Sequence, residues 1–223
     1  MKYRFLFFLG FILNHLVGQS VDSIVIKQVD SLIQLSRKLT ATGDFELALT
    51  TSNTAETMAF NSLGGESSSY INCCVNHARV LYFSKELSGS IAWYEKAKSI
   101  REKVDGKNTP DYAGILAALA ISYEDIGNLE KAEANYVEAL EIRKNTLGHD
   151  NPRYASSLNN LALFYVKMGR YSLAEPLYLE AMSVREKVLG TQHPDYLYVL
   201  HNLGNLYKVT DRYLEAEIGR AHV

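Results

Sequence analysis

The segment PDYAGILAALAISYEDIGNLEKAEANYVEALEIRKNTLGHDN, residues 110–151, decides how the chain folds. From Tyr112 to about Ile126, Leu116, Leu119, Ala120 and Tyr123 return at helical spacing, which places them on one packed face of an α-helix. Gly127-Asn128 interrupts that pattern with a residue that accepts positive φ and one that tolerates a turn. A second helix runs from about Leu129 to Thr146, with Ala132, Tyr136, Ala139 and Leu140 on its inner side. Where two helix axes come close, a side chain larger than alanine forces them apart, so Ala120 and Ala132 mark the crossing inside this pair. Tyr136 and Ala139 then face the next pair.

The same frame extends outward with a period of about 42 residues, within the range of stacked repeat architectures. Tyr70, Tyr112, Tyr154 and Tyr196 share one column, with Pro110, Pro152 and Pro194 two residues before the last three. Leu116, Leu158 and Leu200 repeat, as do Leu119, Leu161 and Leu203. A small-residue column reads Ala78, Ala120, Ala162, Gly204, and the next aromatic column reads Leu81, Tyr123, Tyr165, Tyr207. In the second half of the unit Gly127 and Gly169 precede Ala132, Ala174 and Ala216. Tyr94, Tyr136 and Tyr178 follow, then Ala97, Ala139 and Ala181. Between units, Gly148 to Pro152 and Gly190 to Pro194 stop one helix with glycine and restart the next with proline, whose missing N–H is not needed in a first turn. Asp111 and Asp195 complement the positive helix end that follows.

Composition agrees with a packed helical chain. Of 223 residues, 47% are hydrophobic and 22% charged, with only four prolines, which is too apolar for disorder. A formal net charge of −2 supplies no basic face, so no nucleic-acid partner is expected.

The order Leu116, Leu119, Ala120, Tyr123, Gly127, Ala132, Tyr136, Ala139 resembles the signature of the tetratricopeptide repeat. The long unit, the Glu141 to Lys144 ending of the second helix and the Pro-Asp-Tyr restart resemble its kinesin-light-chain variety. The resemblance is fullest over Tyr112 to Glu217. Over Tyr70 to Asp111, Lys85 stands where the turn glycine belongs and Ser90 where an alanine does. Over Asp30 to Ser69 only Gly43-Asp44-Phe45, Ala48 and Ala55 keep register. The resemblance implies an all-α, right-handed superhelix of about four to five helix pairs, the last truncated. Its parts are a degenerate repeat at 21–69, full repeats at 70–111, 112–153 and 154–195, and a partial repeat at 196–217.

It also implies a protein or extended peptide as partner, no intrinsic catalysis and no cofactor or metal. The ligand groove is lined by the first helix of each pair, in columns that hold Asn72, Asn76 and Arg79, then Ala117, Ala118 and Ile121. Further along come Asn159, Asn160 and Leu163, and finally Tyr198, His201, Asn202, Asn205 and Lys208. An asparagine amide can bond both the N–H and the C=O of an extended peptide. The amides of Asn160 and Asn202 equally suit bonds between neighbouring helices. The lysine and asparagine alternation of the family's carboxylate clamp is missing, so a free C-terminal carboxylate is not the favoured ligand.

Direct reading of the remaining residues finds no phosphate loop, nucleophile elbow, His-Glu-x-x-His or Cys-x-x-Cys. Cys73 and His77 lie one helical turn apart, as a thiol and imidazole pair or two metal ligands would. The register instead puts Cys74 in the Leu116 column and His77 in the Leu119 column, both core positions. Adjacent Cys73 and Cys74 cannot form an ordinary disulfide.

At the N-terminus, Lys2 and Arg4 precede an apolar run from Phe5 to Val17 and small residues at Gly18-Gln19-Ser20, the pattern of a cleaved export signal over 1–20. Export to a periplasmic, secreted or cell-surface location is expected, with membrane attachment only if that segment is retained. At the other end, Ile218 to Val223 abandons the repeat and reads as a translated sequencing adapter, so 218–223 is expected to be foreign. The natural chain is then expected to continue. One alternative is a sensor half preceding a caspase-like CHAT peptidase or a signalling domain.

Overall fold

The structure is a computed structural model that describes residues 2–210, with side chains described from residue 21. The expected signal at 1–20, the partial repeat beyond Thr210 and the tail at 218–223 lie outside the residues so described. In chain order the helices are α1 (Lys2–Thr42), α2 (Phe45–Leu63), α3 (Ser68–Phe83), α4 (Leu87–Asp105), α5 (Pro110–Asp125), α6 (Leu129–Leu147), α7 (Pro152–Lys167), α8 (Tyr171–Leu189) and α9 (Pro194–Val209). Among the described residues there is no strand, and none of the helices is long and apolar enough to cross a membrane. The chain divides into two compact units, one ending at Val104 and one starting at Asp105.

Helix starts are written in short polar side chains. Thr109 Oγ1 accepts from the Tyr112 N–H, Asn151 Oδ1 from that of Arg153 and His193 Nδ1 from that of Asp195, each satisfying a donor the first turn leaves open. Pro110, Pro152 and Pro194 occupy the first turns behind them, as expected from sequence. Asn128 also caps α6, accepting from the Lys131 N–H at 3.2 Å. The helix ends agree with the sequence as well, Gly148 and Gly190 closing α6 and α8.

In the first unit α1 packs on α2, α2 on α3 and α1 on α3. In the second, α5 pairs with α6 and α7 with α8, while α6 packs on α7, α8 on α9 and α7 on α9. Within each unit the second helix of a hairpin thus packs against the first helix that follows, α2 on α3, α6 on α7 and α8 on α9, the nesting that repeated alanines allow. Ala120, Ala132, Ala162 and Ala174 are all fully buried. Tyr70, Tyr112, Tyr154 and Tyr196 are all buried too, so this sequence column marks core positions in both units.

The turn inside each pair shows what the Lys85 departure costs. Gly43, Gly127 and Gly169 sit there with φ of 82°, 79° and 70°, and Lys85 is held at φ 70° in the same place. The next N–H bonds back across the turn in the same way, Glu86 to Leu81 O and Asn128 to Tyr123 O, both at 2.8 Å. A Cβ in this left-handed region is strained by about 1–2 kcal/mol, partly offset in glycine by its freer unfolded chain. Lys85→Gly is expected to raise the unfolding free energy by about 0.5–1 kcal/mol, read from the urea midpoint. A lower midpoint would show that the Lys85 side chain contributes more than its backbone costs.

Candidate functional site

The first-helix columns do not all reach solvent. In the first unit Asn72 and Arg79 are exposed, with the Arg79 guanidinium 5.7 Å from the Phe83 ring centre. Asn76 is 1% exposed, and its Nδ2 donates to Ser36 Oγ at 3.0 Å and Ser52 Oγ at 3.1 Å. Asn159 in the second unit is 2% exposed and accepts at Oδ1 from Asn202 Nδ2 at 3.0 Å. These two placements correct the sequence reading. Both amides are enclosed by packed helices and tie them together, so neither is presented to a ligand.

What the second unit does present lies mainly on α9. Tyr198 is 51% exposed, and His201, Asn205 and Lys208 are exposed beside it at intervals that put them on one helix face. Asn205 Nδ2 lies 3.0 Å from His201 Nε2, so the two side chains are held together on this face. Asn160 and Asn202 are half-buried, as are Ala118, Ile121 and Leu163. An aromatic ring, an imidazole and amides beside an apolar floor can stack on and hydrogen-bond an extended chain. They hold no nucleophile with an adjacent base.

Cys73, Cys74 and His77 are all buried. Burial foremost pushes the Cys73 thiol up to about 12 and the Cys74 thiol up to about 11, so both stay protonated and unreactive. Burial also lowers the His77 pKa, and its ring lies 4.3 Å from Trp93, centre to centre. Among the described residues no three His, Cys, Asp or Glu side chains gather as metal ligands would.

A column that sequence reasoning passed over is Arg101, Arg143 and Arg185, all buried although arginine is ordinarily a surface residue. Arg143 Nη1 donates to Arg153 O at 3.3 Å and Ser157 Oγ at 2.7 Å. Arg185 Nη1 donates to Asp195 O and its Nη2 to Ser156 Oγ at 3.2 Å. The guanidinium near the end of a second helix thus fastens the first turn of the helix that follows. Its recurrence at the tyrosine period was the signal available in the sequence.

Comparison with known proteins agrees with this architecture. The sequence model described as tetratricopeptide repeat matches residues 70–145, 111–171 and 153–218, together more than half of the chain. No curated protein sequence is significantly similar to the chain. Among solved structures, BtubC (BKLC) from P. vanneervenii superposes with a TM-score of 0.77 at 23% identity, over 87% of this chain and 78% of that one. A Podosopora anserina putative kinesin light chain with nearly identical TPR-like repeats gives 0.74 at 20% identity, over 88% and 93%. The apo form of RapI gives 0.67 at 18% identity, over 84% of this chain and 50% of that one.

Proposed function

The chain belongs to the tetratricopeptide repeat family, and on that premise we propose that it is a scaffold holding a protein or extended peptide against the first-helix face of its second unit. The observation that carries the reading is the α9 stripe of Tyr198, His201, Asn205 and Lys208, exposed on a helix whose other side is packed core. Tyrosine is enriched among residues that dominate binding energy, and its flat ring offers contact area at low entropic cost. Asn160 and Asn202 border this stripe, but Asn202 also holds Asn159, so replacing it would perturb packing together with binding.

A cleaner test removes only exposed groups. Tyr198→Ala combined with His201→Ala is expected to weaken binding at least about tenfold, for a partner recovered by photo-crosslinking from position 205. The helical circular dichroism should not change. Undiminished affinity would remove this face from the reading.

Export forms a second part of the proposal, resting on Lys2, Arg4, the apolar run to Val17 and the small residues before Val21. An intact-mass measurement of protein made in an export-competent host should give an N-terminus near Val21. Retention of Met1 or Lys2 would refute it.

A further inference from the structure

Arg143 and Arg185 occupy the same register position and make the same Nη1 bond to the first turn of the next helix, but their Nη2 atoms differ. Arg185 Nη2 donates to Ser156 Oγ on α7. One repeat earlier that position is Gly114 on α5, which has no side chain to accept. A Cβ built on Gly114 would lie 3.9 Å from Arg143 Nη2 and 3.9 Å from Arg153 Nη2. Two guanidinium groups therefore flank a notch whose floor is a half-buried glycine.

The charges around the notch do not balance. Arg153 Nη2 donates to Pro110 O at 3.2 Å and faces Asp111 Oδ1 at 3.6 Å, across an exposed pair that water screens. Among the described residues Arg143 has no carboxylate partner. Burial, and after it the like charge of Arg153, pushes the Arg143 pKa down to about 10. An anion between the two forks would offset the like charge of Arg153.

We propose that the notch above Gly114 is an oxyanion subsite, taking the carboxylate of an acidic side chain from a peptide laid along the first-helix face of the second unit. The subsite rests on the groove reading, because Gly114 shares its register column with Ser156 and Tyr198. A carboxylate suits the geometry. Its two oxygens can each accept from one guanidinium in charge-assisted bonds of roughly 2.7–2.9 Å, approaching from the side of the glycine where only the two Nη2 atoms come near the place a Cβ would take. Arg143 is already fixed by Arg153 O and Ser157 Oγ, so little side-chain freedom remains to be lost on binding.

The test uses the full chain with isotopically labelled arginine, tyrosine and histidine, and three acetylated, amidated heptapeptides that differ only in a central Glu, Gln or phosphoserine. The Arg143 and Arg153 Nε–H resonances should shift and saturate with the Glu peptide, at an affinity about tenfold or more above that for Gln. The Arg185 resonance should stay in place. Gly114→Asp, which supplies its own carboxylate, and Gly114→Ala, which fills the notch, should each abolish the preference. Gly114→Ala introduces only ordinary contacts and improves helix propensity, so unfolding would not explain its loss of binding.

Equal affinity for Glu and Gln peptides, with Tyr198 and His201 signals moving, would overturn the subsite and leave the groove standing. No shift with any of the three peptides would overturn both. Phosphoserine binding tenfold tighter than Glu would overturn the carboxylate assignment in favour of a phosphoryl group.

Discussion

Tyr154→Ala is expected to lower the unfolding free energy by about 3–5 kcal/mol, and Tyr154→Phe by only about 1 kcal/mol. The ring is 2% exposed in the first turn of α7, and it meets the His149 ring edge-on at 5.3 Å between centres. Its hydroxyl donates to Glu180 Oε1 at 2.7 Å. Truncation to alanine removes an aromatic volume from a close-packed site where α7, α8 and the loop behind Gly148 meet, and rigid helices on either side cannot collapse into the space. Phenylalanine keeps that volume. It gives up one bond to a carboxylate that remains exposed and can turn to water, so no charged group is stranded. Burial raises the Tyr154 pKa first and Glu180 raises it further, so the phenol stays a donor across any usable buffer. Urea unfolding of the two variants separates the contributions. A phenylalanine variant as unstable as the alanine one would assign the stabilisation to the hydroxyl.

Legibility follows from which physical demand each residue answers. Ala120, Ala132 and the tyrosine columns are dictated by packing between helices, and packing repeats with the fold, so their spacing alone predicted helix, turn and stack. The helix restarts at Pro110, Pro152 and Pro194 were equally readable, because proline's missing N–H suits few other places. Depth was harder to read. A register position fixes the angle of a side chain around its helix but not what the neighbouring helix covers, and Asn76 shares a column with the half-buried Asn160 and Asn202 while lying under α1 and α2. Its partners Ser36 and Ser52 are small polar residues in a stretch whose register was weak, so nothing in the sequence connected them. Lys85 was recognised as a departure from glycine, but only coordinates show that its backbone still adopts the glycine conformation. The notch at Gly114 required two residues from different helices to be seen together with a missing side chain on a third, which no one-dimensional pattern encodes.

Arg185→Ala is expected to lower the unfolding free energy by about 2–4 kcal/mol, with Arg185→Met losing about half as much. The side chain is 5% exposed at the end of α8, and its two terminal nitrogens reach Asp195 O in the first turn of α9 and Ser156 Oγ on α7. Three helices are thus joined through one charged donor. Alanine removes both bonds and the aliphatic stem, whereas methionine restores most of the stem and leaves the acceptors unpaired. The size of the difference is set against a real cost. Burial lowers the Arg185 pKa, opposed by the Asp195 charge and then by Tyr198, so part of what the bonds contribute is spent on keeping a cation out of water. If that cost dominated, methionine would equal or exceed the natural residue in stability. The bonds also hold the start of the helix that carries Tyr198 and His201, so the alanine variant should show faster amide hydrogen exchange over 196–201 than over α5. Acceleration spread evenly over both helices would mean that Arg185 stabilises the unit as a whole without anchoring α9 in particular. An alanine variant within about 0.5 kcal/mol of the natural chain would show that the buried arginine column follows the repeat without holding it together.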